Sequence, residues 1–204
     1  MITPGACRAL VLAAGEGRRF GGEKLDAPVR GRPLLDHVLD AVREACAGGL
    51  LDGGVVVLRA GDAAVDRAKA AGLEPVENDD PAAGLSRSLK LGLDRLASFP
   101  GTATGAAMVF LGDQPEVRVA TVRLLLDRRA RGAACVRPRY AGAPADPGHP
   151  VLLDRSAWTA ARETVGDAGA ARVVRLADGF ELVDVPGANP DVDTPADLER
   201  VGRA

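Results

Sequence analysis

Aromatic side chains are scarce: 3% of the 204 residues, with one Trp, one Tyr and four Phe. So few rings argue against a stacking platform for single-stranded nucleic acid. The core must then be built from Val, Leu and Ala. Charge of one sign is also lacking. Twenty-six basic and 28 acidic residues leave a formal net charge of −2, so no global field draws in a polyanion. Cys7, Cys46 and Cys135 are odd in number, far apart and form no CxxC pair. That argues against a disulfide framework or a cysteine metal cage and suits buried thiols in a reducing compartment. No run approaches the ~20 apolar residues of a membrane span. Met1–Cys7 lacks the basic start and apolar centre of a signal peptide. A cytoplasmic protein that binds neither nucleic acid nor membrane is the expectation. No Gly-x-Ser-x-Gly elbow occurs, and no nucleophile–base pair stands out.

What is present is an alternation of apolar runs and helical spacing. Arg8–Ala13, Gly54–Leu58 and Ala106–Leu111 read as buried strands, with Glu74–Glu77, Ala134–Pro138 and Glu181–Val185 as further strands. Pro33–Ala47, Ala63–Ala71, Gly84–Ala97 and Val119–Arg131 read as helices. In the first, Leu34, Leu35, Val38, Leu39 and Val42 share a face; in the third, Leu85, Leu89, Leu93 and Leu96 do. Arg155–Thr164 and Ala170–Leu176 also look helical. Thr194-Pro195 opens a last helix, with Thr as N-cap and Pro at the first position. Ala141–Pro147 reads as a flexible loop. The pattern predicts a three-layer, doubly wound α/β fold with a mostly parallel sheet, residues 1–204 forming one domain. In such sheets ligands sit outside the carboxyl ends of the strands.

The first strand delivers Ala14-Gly15-Glu16-Gly17-Arg18-Arg19-Phe20-Gly21-Gly22-Glu23-Lys24. Glycines let backbone N–H groups approach a ligand, and Arg and Lys add charge suited to polyphosphate. Two better-known loops are near misses. A dinucleotide fingerprint needs Gly where Phe20 stands, and a P-loop needs Gly-Lys-Ser/Thr where the chain has Gly22-Glu23-Lys24-Leu25. A phosphate loop of another type is the expectation; a Gly- and Arg-rich surface turn is the alternative.

Two aspartates lie where a cation could be held. Asp113 follows a buried strand, in Gly112-Asp113-Gln114-Pro115, and Asp193 precedes the last helix, in Asp191-Val192-Asp193-Thr194-Pro195. Mg²⁺ takes one or two carboxylates plus phosphate oxygens and water. Asp191 is a weaker candidate. A turn role for Asp113 and a capping role for Asp193 are the alternatives. Asn78 follows the third strand, and Ser86 lies in the first turn of the next helix, where free N–H groups suit a base, ribose or phosphate. His149, in Gly148-His149-Pro150-Val151, could touch an acidic substrate or serve the structure. His37 is expected to be solvated and Trp158 to be core.

Leu12-Ala13-Ala14-Gly15-Glu16-Gly17-Arg18-Arg19-Phe20-Gly21, followed by Lys24, resembles the signature of the MobA-like nucleotidyltransferases. Gly31-Arg32-Pro33-Leu34-Leu35, Gly84-Leu85-Ser86-Arg87-Ser88-Leu89, Gly112-Asp113-Gln114-Pro115, Gly148-His149-Pro150-Val151, Gly166-Asp167-Ala168-Gly169-Ala170 and Asp191-Val192-Asp193-Thr194-Pro195 look like the molybdenum cofactor cytidylyltransferase branch. The ordered match runs from about residue 8 to about residue 201. It implies a Rossmann-like nucleotidyltransferase fold that moves CMP from CTP to a phosphorylated, molybdopterin-type acceptor and releases pyrophosphate. Leu12, Ala13, Ala14, Gly15 and Gly17 would line the nucleotide, with Asn78 and Ser86 completing the pocket. Lys24 and Arg19 would hold the triphosphate, and Asp113 and Asp193 would hold Mg²⁺. Ala14 resembles the CTP users, since GTP users usually carry Gly there. The resemblance also implies a molybdoenzyme or its chaperone as recipient of the product. Two departures stand out: Glu23 precedes the lysine where Pro is common, and the 141–147 loop is longer than usual. GTP as donor, a sugar or alcohol phosphate as acceptor, or a reductase of the nicotine-blue type remain alternatives.

Overall fold

The first strand, β1 (Ala6–Leu12), is buried along its whole length, and the alternation of its side chains divides the core in two. Cys7, Ala9 and Val11 join one apolar cluster; Leu10 and Leu12 join the other. The first cluster packs α1 (Leu34–Ala47), α2 (Val65–Ala70) and α4 (Val119–Ala130) on one face of the sheet. The second packs α3 (Leu85–Ala97) and α5 (Trp158–Arg162) on the other. This is the expected three-layer α/β fold. The computed structural model describes residues 6–17, 19–145, 148–166 and 179–203.

Around β1 the sheet has seven strands. β4 (Gly54–Arg59) and β6 (Thr104–Leu111) flank it in parallel, and β5 (Glu74–Asn78) pairs parallel to β4. Beyond β6 come β8 (Val151–Asp154), β7 (Cys135–Tyr140) and the edge strand β9 (Phe180–Val185). All neighbouring pairs are parallel except those of β8, which runs antiparallel to both β6 and β7. A two-stranded hairpin, β2 (Pro28–Val29) with β3 (Arg32–Pro33), leads into α1. The last helix, α6 (Pro195–Arg203), buries Val201 against Val29, Leu34 and Val192.

The apolar runs form strands because both faces of a parallel sheet are covered, so no polar alternation survives in them. Helix α3 lies tight on β1. A Cβ added at Gly92 would stand 2.1 Å from Leu10 Cδ1, so the approach depends on a residue without a side chain.

Three expectations need correction. Strand β8 was not anticipated, because four residues between a loop and a turn carry too little periodicity. The helix expected over Arg155–Thr164 starts as a 3-10 turn, Arg155–Ala157, and its α-helical part ends at Arg162; the Asp154 side chain accepts from Ser156 N and sets that first turn. His37 is half-buried rather than solvated, its Nε2 lying 2.9 Å from Val29 O. Trp158 is core, as expected. The helix expected over Ala170–Leu176 lies outside the described residues, as do residues 167–170 of the Gly166–Ala170 motif, Arg18, and residues 146–147 of the 141–147 loop. No helix among the described residues is long and apolar enough to cross a membrane.

Candidate active site

The carboxyl ends of β1, β4, β5 and β6 point the same way, so the segments that follow them meet at one edge. Leu12 and Ala13 still belong to the sheet there. Leu12 O accepts from Gly112 N at 2.9 Å, and Ala13 N donates to Val57 O at 2.9 Å. Both side chains are buried. The chain leaves the sheet at Ala14. Ala14, Gly15, Gly17, Arg19 and Lys24 then form one wall of a cavity of about 440 Å³; Gly84, Leu85 and Ser88 stand opposite.

The loop folds back on itself around Gly17. Phe20 N and Gly21 N donate to Gly17 O at 2.9 and 3.1 Å, and Lys24 N donates to Gly22 O at 2.8 Å. Gly17 has φ +60°, and a Cβ there would sit 2.9 Å from Gly22 O, which makes glycine a requirement of the turn. Glu23 is turned away from the cavity and pairs with Arg59. An acid beside the lysine thus adds no charge to the phosphate side.

Lys24 reaches inward instead. Its Nζ donates to Asp113 Oδ2 at 2.6 Å and to Asp193 Oδ1 at 3.3 Å, and Arg19 pairs with Asp193 Oδ2 at 3.1 Å. Burial lowers the Lys24 pKa, but Asp113 and then Asp193 outweigh it, so the ammonium titrates above an ordinary lysine. Asp113 Oδ1 is buried and has no hydrogen-bond partner. Backbone bonding sets the two carboxylates. Val192 N donates to Asp113 O at 3.1 Å, tying the segment after β6 to the one before α6. Thr194 caps α6: its Oγ1 accepts from Asp197 N at 3.2 Å, while Asp197 Oδ2 accepts from Asp193 N, Thr194 N and Thr194 Oγ1. The capping is done by Thr194 and Asp197, and the Asp193 carboxylate is left to face Lys24. Val192 is fully buried, and Asp191 on its other side accepts from Gln114 Nε2 at 2.6 Å. Burial, and then the charge of Asp113, raise the Asp191 carboxyl above its ordinary range.

Asn78 and Ser86 do not line this cavity. Asn78 is a buried brace: Nδ2 donates to Ser88 Oγ at 3.0 Å, and Oδ1 accepts from Asp80 N and Arg87 Nε, each at 3.0 Å. Ser86 is buried, with its N–H on Gly166 O. The hydroxyl at the cavity is that of Ser88. Two residues along a helix turn the side chain by roughly 200°, enough to exchange the inward and outward faces.

A second cavity, about 800 Å³, lies on the other side of Asp193, which lines both. Gln114, Asp191, Arg118, Arg137, Tyr140 and His149 are among the residues that line it. A buried polar network braces it. Gln114 Oε1 accepts from Asn189 Nδ2 at 3.3 Å, and Asn189 Oδ1 accepts from Glu116 N at 2.9 Å. Of these residues Gln114, His149, Asp191 and Asp193 fall inside recognisable motifs. Asn189, Arg118 and Arg137 sit in no pattern, and only the folding of β7, β8 and the segment before α6 brings them together. Asn189-Pro190 is a turn signal, the one local cue among them.

Residues 9–185 match the MobA-like NTP transferase domain family. Among solved structures, the Rv0371c homologue from Mycobacterium sp. strain JC1 is 30% identical, covers 97% of this chain and 95% of that one, and superposes with TM-score 0.79. Rv0371c of Mycobacterium tuberculosis H37Rv in complex with manganese is 28% identical over 98% of this chain and 99% of that one, with TM-score 0.74. Among curated proteins, the bifunctional protein GlmU of Sphingopyxis alaskensis is 33% identical over 143 residues, 68% of this chain and 29% of that protein. The chain thus spans less than a third of the length of the first curated relatives it matches.

Proposed function

The chain belongs to the MobA-like NTP transferase family and is a nucleotidyltransferase, and from that premise we propose that it transfers CMP from CTP to a phosphorylated, molybdopterin-type acceptor. The observation that carries this is the meeting of Lys24, Arg19, Asp113 and Asp193 at the wall where two cavities join. One cavity is lined by the glycine loop and takes the triphosphate. The other takes the acceptor, and the reacting phosphorus lies between them.

The donor set suits a hard divalent cation. Asp113 keeps a buried carboxylate oxygen without a partner, and Asp193 presents a second carboxylate beside it. Mg²⁺ needs no more than that from protein, since phosphate oxygens and water complete its shell. The manganese complex of Rv0371c supports a divalent ion in this fold. Bound by Asp113 and Asp193, the ion supplies neutralising charge at the phosphates.

The chain's own groups do the rest. Lys24 and Arg19 hold the triphosphate, and the backbone at Gly15 and Gly17 comes close to it, with Leu12, Ala13 and Ala14 bounding the base and ribose. An oxygen of the acceptor phosphate forms a bond to the α-phosphorus, the bond from α-phosphorus to the bridging oxygen breaks, and pyrophosphate leaves. The attacking oxygen is already anionic near pH 7, so no general base is needed; positioning and charge stabilisation supply the rate. Ala14, buried at the cavity wall, favours CTP, because its methyl narrows the pocket; one methyl's worth of shape discriminates by about 1–3 kcal/mol. Asn78 and Ser86 act from behind by fixing Ser88 and the start of α3. Residues 1–204 work as one nucleotidyltransferase domain in the cytoplasm, and the product passes to a molybdoenzyme or its chaperone.

Asp113→Asn tests the assignment. Pyrophosphate release with CTP and the pterin acceptor should fall by about a hundredfold or more, the scale of losing one transition-state charge contact. Turnover within a few-fold of wild type would remove Asp113 from the metal site. Faster turnover of wild type with GTP than with CTP would overturn the base assignment at Ala14.

A further inference from the structure

The larger cavity also holds polar groups that the transfer chemistry does not use. Arg118 is exposed and lines the cavity, and among the described residues its guanidinium makes no hydrogen bond or salt bridge. It packs against Gly187, where a Cβ would come within 3.5 Å of the guanidinium. Arg137, buried under the same wall, donates from Nε to Gly148 O at 3.2 Å. His149 stands beside it, only 7% exposed, and its Nε2 has no hydrogen-bond partner.

The segment carrying His149 is held by its backbone. Gly148 N donates to Pro138 O at 3.0 Å, Tyr140 Oη donates to His149 O at 2.7 Å, and Asn189 Nδ2 donates to the same oxygen at 3.2 Å. The brace uses main-chain groups and leaves the imidazole nitrogen over. Burial, and then the Arg137 guanidinium, hold the ring neutral. It therefore adds a hydrogen bond here and no third positive charge.

The cavity carries charge of both signs. Asp191 and Asp193 stand at the end shared with the triphosphate site, and Glu116 is already paired with Arg30 at 2.7 Å. Of the cavity's arginines, Arg200 is paired with Asp197, whereas Arg118 and Arg137 come from other elements, the start of α4 and strand β7. A ligand that fills the space would meet the carboxylates of Asp191 and Asp193 and the guanidinium groups of Arg118 and Arg137.

We propose that Arg118, Arg137 and His149 form a subsite for an anionic or hydrogen-bond-accepting group at the non-reacting end of the acceptor. The proposal rests on the acceptor's place in the larger cavity, and it names what that acceptor must carry. A phosphate joined to a bare aliphatic alcohol would leave this end empty. An acceptor with a second charged or carbonyl-bearing end would fill it.

The chain has two histidines, His37 and His149, so imidazole resonances of isotope-labelled protein are readily assigned. The protein, loaded with Mg²⁺ and a non-hydrolysable CTP analogue, is titrated with a phosphorylated pterin and, separately, with glucose 1-phosphate. A ligand with a polar far end should shift the His149 resonances and leave those of His37 in place. Arg118→Gln, on an exposed position that tolerates it, should weaken that binding about tenfold and raise the acceptor KM by the same factor, while the CTP KM stays within twofold. His149→Leu should weaken it similarly, and His149→Gln should recover most of the loss. The proposal fails if neither ligand moves the His149 resonances, or if Arg118→Gln leaves the affinity unchanged. A ligand that binds and shifts His149 but accepts no CMP when CTP itself is supplied would sink the acceptor assignment and leave the subsite standing.

Discussion

Lys24→Met separates the contact with Asp113 and Asp193 that the structure shows from the hold on the triphosphate that we propose. The Lys24 ammonium sits between Asp113 and Asp193, at 2.6 and 3.3 Å, against the two carboxylates that would hold a cation. The lysine side chain is 12% exposed, against 22% and 36% for the aspartates, so the contacts are only partly screened. Charge-assisted hydrogen bonds of this kind are worth about 1.5–3 kcal/mol; solvent at Asp193 argues for the lower half. An ion held by both carboxylates would have to displace that contact. Removing it should tighten Mn²⁺ binding in the absence of nucleotide by roughly tenfold, since 1.4 kcal/mol is one decade. The same change should weaken CTP by roughly ten- to a hundredfold, because the triphosphate loses its lysine. The metal-free variant should also melt lower than wild type, as two neighbouring carboxylates are left uncompensated, and Mn²⁺ should restore it. Free Mn²⁺ measured by electron paramagnetic resonance gives the metal affinity, with and without CTP. If Lys24→Met binds Mn²⁺ no more tightly than wild type without nucleotide, the ammonium is not occupying the cation's place.

Two further outcomes follow from the braces around the site. Thr194→Ala removes the hydroxyl that exchanges hydrogen bonds with Asp197; urea denaturation should show a loss of about 1 kcal/mol, and Mn²⁺ binding should weaken a few-fold as Asp193 loosens. Unchanged stability would mean the cap is not what fixes that segment. His149 gives a pH signature. Its folded pKa is pushed down to about 3 from the ordinary 6.5 by burial and then by Arg137. Between those values the unfolded chain binds more protons, so the group costs nothing above pH 6.5 and destabilises as pH falls toward 3. The slope is at most about 1.4 kcal/mol per pH unit. Denaturation at pH 7, 6 and 5 should show His149→Gln losing less stability on acidification than wild type; parallel curves would contradict the buried neutral ring.

The sequence by itself determined the layers and the phosphate edge. The apolar runs at residues 8–13, 54–58 and 106–111 could only be strands covered on both faces, and the parallel order they imply puts Gly15, Lys24 and Asp113 beyond strand ends. The physical reason is local: periodicity and glycine placement are written in neighbouring residues. The same signal failed at β8, where four residues were too few to show a period, and at α3, where composition could not say whether Ser86 or Ser88 faces the cavity. Glu23 looks misplaced beside the lysine of the glycine loop until the fold brings Arg59 from β4 to pair with it. Tertiary structure alone decided that Lys24 bridges Asp113 and Asp193, contacts spanning 89 and 169 residues of chain. It alone decided that Arg118, Arg137 and His149 share a wall, since those pairings come from an antiparallel strand inserted into a parallel sheet. Long-range contacts of this kind are set by how strands cross and pack, and no spacing along the chain records them.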